Sequence, residues 1–110
     1  IQWLMDIVDG DLYVCYDVNH ITLYEEAGPS LRALGKRVAT LHISDHDGVD
    51  ERHWIPGTGA VNWPDFVAGL DEIGYTGCLM HEAVDPVLDL AGNLRAIVQA
   101  ARVHLAWNEP

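Results

Sequence analysis

The sequence predicts an α/β protein built from parallel βα units, and three observations predict it. Nearly continuous apolar runs recur at residues 12–16, 38–43 and 78–81, as expected for strands covered on both faces. Stretches with helical spacing separate them, the alternation that lays strands parallel with helices crossing between them. Each run ends in an ionisable residue: Asp17 directly follows the first, His42 lies at the end of the second, and Glu82 directly follows the third.

The elements follow in order. Ile1, Leu4, Met5 and Val8 keep the spacing of a helix end, and the first strand comes next. Pro29 suits the first turn of a short helix carrying Leu31 and Leu34, which Gly35 closes as a C-terminal cap. After the second strand, residues 44–61 form the longest non-periodic segment, rich in Asp, His and Gly. In an α/β protein such a loop carries function. Asn62 caps a helix whose apolar face is Phe66, Val67, Leu70 and Ile73, and Gly74 ends it. The third strand follows, and Leu90, Leu94, Ile97, Val98, Ala101 and Leu105 then keep helical spacing. There is no internal repeat or linker, so residues 1–110 read as one domain.

Composition removes some function classes. Asp and Glu number 17 against 6 Lys and Arg, a formal charge of −11, which opposes docking on a nucleic-acid backbone. The basic residues Arg32, Lys36, Arg37, Arg52, Arg95 and Arg102 are scattered and form no stripe. No run approaches the ~20 apolar residues that span a bilayer, and the opening residues lack the charged and apolar regions of a signal peptide. A cytoplasmic protein without a membrane partner is expected. Cys15 and Cys78 fall within strand runs without Cys-x-x-Cys spacing and read as buried reduced thiols.

The chemistry lies at the strand ends. In a parallel sheet these ends share one edge, and in a closed barrel they converge on the axis. Asp17, His42 and Glu82 together suit Mg²⁺, Mn²⁺, Co²⁺ or Zn²⁺. Period-two alternation refines the set. If Glu82 faces the axis, so do Met80 and Cys78, and His81 faces the helices, which removes it as a ligand. By the same parity Thr40 and Val38 share the face of His42, and Cys15 and Tyr13 share that of Asp17. Residues 56–59, Pro-Gly-Thr-Gly, shape a tight rim loop whose glycines allow positive φ. Asp45, His46, Asp47 and Asp50 read as solvated loop charges.

Six short stretches occur in a telling order: Tyr16-Asp17-Val18-Asn19-His20, Leu41-His42-Ile43-Ser44-Asp45, His53-Trp54-Ile55-Pro56-Gly57-Thr58-Gly59, Val61-Asn62-Trp63, Gly74-Tyr75-Thr76-Gly77 and His81-Glu82. The ordered set resembles the xylose-isomerase-like superfamily, whose members include sugar isomerases and epimerases, inosose dehydratase and the AP endonucleases. The resemblance implies a (β/α)₈ TIM barrel, of which this chain supplies the C-terminal part with the last three strands, since such barrels run to ~250 residues. It implies that Asp17, His42 and Glu82 are metal ligands, that Glu82 also transfers a proton, that His20 contacts a substrate oxygen in the sugar enzymes or a second metal in the endonucleases, and that His53 contacts substrate. Read from the sequence alone, His20 is equally a surface helix or turn residue.

The resemblance also implies a fourth ligand, a Glu on the preceding strand, and this chain begins after that point. The leading expectation is a divalent-metal-dependent isomerase or epimerase of a sugar, sugar phosphate or other small hydroxy-carbonyl compound. A rival is a zinc phosphodiesterase like the AP endonucleases, whose additional metal element Glu51-Arg52-His53 partly matches. A third reading is a truncated, non-catalytic barrel fragment. Open barrel edges would promote homo-oligomers or other association.

Overall fold

The structure is a computed structural model and describes residue 7 and residues 11–106. The helix end expected from Ile1, Leu4, Met5 and Val8 lies outside the described residues. Strand β1 (Val14–Asp17) runs into a single helical turn, α1 (Val18–Ile21), and then α2 (Ala27–Leu34). A 3₁₀ turn at Gly35–Arg37 leads to β2 (Val38–His42), which pairs with β1 in parallel. Helices α3 (Trp63–Ile73) and α4 (Leu90–His104) complete the order. This is part of an α/β barrel with parallel strands.

The helix signals act as the sequence suggests. Gly35 ends α2 at φ 56°. The Asp65 N–H donates to Asn62 Oδ1 at the start of α3, Pro64 occupies the first turn, and Gly74 closes the helix in the left-handed region. Asp89 caps α4 by accepting the Gly92 N–H at 2.6 Å.

The register of the sheet decides which side chains meet. Val14 pairs with Val38, Cys15 with Thr40, Tyr16 with Leu41 and Asp17 with His42, leaving Ala39 as an extra residue. That irregularity reverses the alternation on β2. Val38 therefore joins Leu41 in the core, and the expectation that it shares the face of His42 is corrected.

The third strand shrinks to one bridge, a correction to the expected strand at 78–81. Ile43 pairs in parallel with His81: its N–H donates to Met80 O at 2.9 Å, and its carbonyl accepts the Glu82 N–H at 3.0 Å. Upstream, the Cys78 carbonyl is taken by the Tyr75 hydroxyl at 2.9 Å instead of by a neighbouring strand. The parallel direction survives, and with it the placement of Glu82 beside the end of β2.

The core lies between one face of the sheet and the helices. Tyr16, Val18, Leu31, Leu41, Ile43 and Phe66 are fully buried there, and Trp63 meets Phe66 edge-on at 5.6 Å. The Tyr16 hydroxyl finds a partner in Ser30 Oγ at 2.6 Å, and burial pushes its pKa up to about 12. Helix α3 approaches α2 at Gly69, where a Cβ would lie 2.8 Å from Leu31 Cδ1.

The opposite face is open among the described residues. Tyr13 is 60% exposed, and Cys15 and Cys78 are free thiols that are exposed, not buried as expected. The reason is parity: Cys15 alternates with the buried Tyr16 and points away from α2 and α3. Among the described residues no helix is long and apolar enough to cross a membrane.

Candidate metal centre

Asp17 is both the last residue of β1 and the N-cap of α1. Its Oδ1 accepts the His20 N–H at 3.2 Å, which fixes the carboxylate and turns Oδ2 toward His42. The pairing of Asp17 with His42 sets the two side chains abreast, and the bridge from Ile43 brings Glu82 next to them. His42 Nδ1 lies 3.5 Å from Asp17 Oδ2 and 3.4 Å from Glu82 Oε2. One ligand atom from each residue lies within 4.8 Å of the others.

The donor set fits a divalent ion. Adjacent ligands with bonds of ~2.1 Å at 90–109° are ~3.0–3.5 Å apart, which is the spacing of His42 Nδ1 from both carboxylates. Mixed carboxylate and imidazole donors serve Mn²⁺, Co²⁺ and Zn²⁺ well and Mg²⁺ adequately. The three side chains are 22%, 32% and 42% exposed in the order Asp17, His42, Glu82, so an ion can reach them. Among the described residues no other group of three ligand-type side chains converges.

The other two expected site residues stand beside this centre. His20 Nδ1 is 2.9 Å from Glu51 Oε2, and its Nε2 is 3.8 Å from Asp17 Oδ2. His53 Nδ1 donates to the Glu82 carbonyl at 3.0 Å, and the His53 carbonyl accepts the Val84 N–H at 2.8 Å. His53 thus braces the backbone that carries Glu82. His81 points away, as parity required. Among the described residues neither of its ring nitrogens has a hydrogen-bond partner, and burial lowers its pKa.

Of the four loop residues read as solvated, three turn out differently. Asp45 is 0% exposed, and its carboxylate accepts five N–H groups: His46, Gly57, Gly59 and Val61 from the backbone and the indole of Trp63. His46 is also buried. Its Nδ1 accepts the Gly48 N–H, so Nε2 carries the proton and donates to Thr22 Oγ1 at 2.8 Å. Asp47 accepts the N–H groups of Val49 and Asp50 and the Arg52 guanidinium. Only Asp50 is solvated as expected.

The signal for Asp45 was present in the glycines and the Trp that follow it. Of the two rim glycines only Gly57 needs positive φ, at 87°. Gly59 is required for a different reason, because a Cβ there would collide with the His46 carbonyl and the Asp45 carboxylate.

Parallel strands with ligand-type side chains at their C-terminal ends define a segment of a metal-site α/β barrel. The chain belongs to the xylose isomerase-like TIM barrel family, which it matches over residues 3–106. Its fold is similar to a D-psicose 3-epimerase crystallised in the presence of D-fructose, with TM-score 0.73 and 18% identity over 96% of this chain and 42% of that one. A D-tagatose 3-epimerase-like protein gives TM-score 0.70 and 22% identity over 91% of this chain and 36% of the other. A D-allulose 3-epimerase from Methylomonas sp. in complex with D-allulose gives 0.54 and 27%, over 76% and 29% respectively. An uncharacterized protein of Methanocaldococcus jannaschii is 27% identical over 85 residues, which are 74% of this chain and 29% of the relative. The chain thus spans less than half the length of each of these proteins.

Proposed function

We propose that this chain is the metal-ligand-bearing segment of a divalent-metal-dependent sugar isomerase or epimerase, its two strands and bridge occupying the last three strand positions of the barrel. The observation that carries the reading is the convergence of Asp17, His42 and Glu82 where parallel strands end. D-fructose and D-allulose, the ketoses crystallised with two structurally similar epimerases, support a hydroxy-carbonyl substrate.

A bound divalent ion would polarise adjacent substrate oxygens and so lower the cost of removing the neighbouring C–H proton. The chain's own residues divide the remaining work. Asp17 and His42 hold the ion's position. Glu82 offers one oxygen toward His42, and its carboxylate takes and returns the substrate proton. His20 and His53 stand where they can meet substrate hydroxyls at the rim. Two observations count against the phosphodiesterase reading. No second group of three ligands converges among the described residues, and the charge of −11 opposes a polyanion.

The test has two arms. Calorimetry with Mn²⁺ should show binding that His42→Ala abolishes; equal binding by both forms removes His42 from the site. The chain, alone and joined to the upstream strands of a related epimerase, is then incubated with Mn²⁺ and D-fructose in deuterium oxide. Chelator-sensitive uptake of deuterium at a carbon-bound position supports the reading, and no uptake by either form while Mn²⁺ is bound rejects it.

A further inference from the structure

Glu82 is held at both of its backbone polar groups, and the two holds come from different parts of the chain. Its N–H donates to the Ile43 carbonyl at 3.0 Å, within the single bridge that remains of the third strand. Its carbonyl accepts from His53 Nδ1 at 3.0 Å, out of the loop that follows β2. The His53 carbonyl in turn accepts the Val84 N–H at 2.8 Å, so one residue grips the chain on either side of Ala83. His53 is itself placed by its neighbour. Trp54 and Asp45 form an antiparallel bridge, the Asp45 N–H donating to the Trp54 carbonyl at 2.9 Å and the Trp54 N–H to the Asp45 carbonyl at 3.2 Å. Asp45 is fully buried and fixed by its own five donors. Residues 53 and 54 therefore join a rigid anchor on one side to Glu82 and Val84 on the other.

A backbone carbonyl only accepts, so His53 serves Glu82 as a donor, and a ring with its proton on Nδ1 does so whether or not Nε2 is protonated. An isolated bridge leaves the residue after it free to turn, because no further ladder bond follows. We propose that His53 is a positioning residue for Glu82: its Nδ1–H fixes the Glu82 peptide, and with it the direction in which the carboxylate leaves the backbone toward His42 Nδ1. The ring does for Glu82 what the next ladder bond of a longer strand would do. The proposal rests on the metal-centre reading and deepens it, since it gives the loop after β2 the task of aiming a ligand. It asks for direction, not strength: His53 is exposed, and one hydrogen bond at the rim adds little to global stability.

The test uses the shapes of two neutral amides in the 110-residue chain. The Asn side chain puts its NH₂ near the position of Nδ1, whereas Gln puts it nearer Nε2. Mn²⁺ calorimetry should find His53→Asn near wild type, and His53→Gln and His53→Ala weaker by roughly tenfold, the scale of lost support around a metal ligand. The ¹³C resonance of the Glu82 carbonyl, read without metal, should move in the Gln and Ala variants and stay in place in the Asn variant. Hydrogen exchange at the Trp54 amide, whose bond to Asp45 does not involve the ring, should stay protected in all three. The proposal is overturned if His53→Ala binds Mn²⁺ like wild type, or if all three variants weaken binding equally. It is also overturned if Gln matches wild type while Asn does not, since His53 would then act through Nε2. Loss of Trp54 protection together with Mn²⁺ affinity would make His53 a general support of the loop and overturn it as well. Absence of Mn²⁺ binding in wild type would reject the metal centre instead, and the carbonyl resonance would still decide whether His53 holds Glu82.

Discussion

The Trp63 indole N–H donates to Asp45 Oδ2 at 3.0 Å, tying the first residue of α3 to the loop that follows β2. Four backbone N–H groups share the same carboxylate, so one buried side chain organises residues 57–63. Asp45→Ala would leave five donors unsatisfied and should cost roughly 3 kcal/mol or more. Trp63→Phe, which removes one donor, should cost about half as much. Urea midpoints measure both, and a loss below ~1 kcal/mol for Asp45→Ala would show that water replaces the carboxylate.

A second carboxylate in the same loop makes stability depend on acid. The N–H groups of Asp50 and Val49, and then the Arg52 guanidinium, hold the Asp47 carboxyl at about 2, against an ordinary value of ~3.9. A depressed value means that the stabilisation is fully present above the ordinary value and is lost as pH falls through about 2. Hydrogen exchange at the Val49 and Asp50 amides should therefore stay protected to about pH 3 and open near pH 2. In Asp47→Ala that protection should be absent at every pH.

Much of the architecture was legible because it rests on local chemistry. Asn62, Gly74 and Gly35 mark helix ends by capping and by positive φ, which neighbouring residues decide. The convergence of Asp17, His42 and Glu82 was legible because they stand at the ends of apolar runs, and parallel strands put such ends on one edge. What failed depended on partners distant in sequence. The extra residue Ala39 reversed the face of Val38, and the Tyr75 hydroxyl claimed the Cys78 carbonyl. Asp45 looked solvated because four of its five donors lie 12 to 18 residues downstream, too far along the chain for a local pattern to tie them to it.

The exposed Cys15 beside the centre gives a chemical readout of that open face. Burial first, and then the negative charges of Asp17 and Glu82, push its thiol above the ordinary value. Iodoacetamide should modify Cys15 in the folded chain, but at pH 8 more slowly than a free thiol, because less thiolate is present. Asp17→Asn should speed the reaction. Peptide mapping after timed quenching measures this, and complete protection would show that the face is covered in solution.

The last prediction separates binding from proton transfer in a complete barrel containing this sequence. Glu82→Gln keeps an oxygen where Glu82 Oε2 now faces His42 Nδ1 at 3.4 Å, but removes the basic group. Turnover should fall by ~10²–10⁴, the usual contribution of a general base, while substrate affinity changes much less. Exchange gives the sharper reading: the native enzyme should carry solvent deuterium into a carbon-bound position of recovered substrate or product, and the variant should not. The two measurements must agree. Slow turnover with labelling still at the native rate would mean that Glu82 serves only as a ligand, and the base would then be a carboxylate from another strand of the barrel.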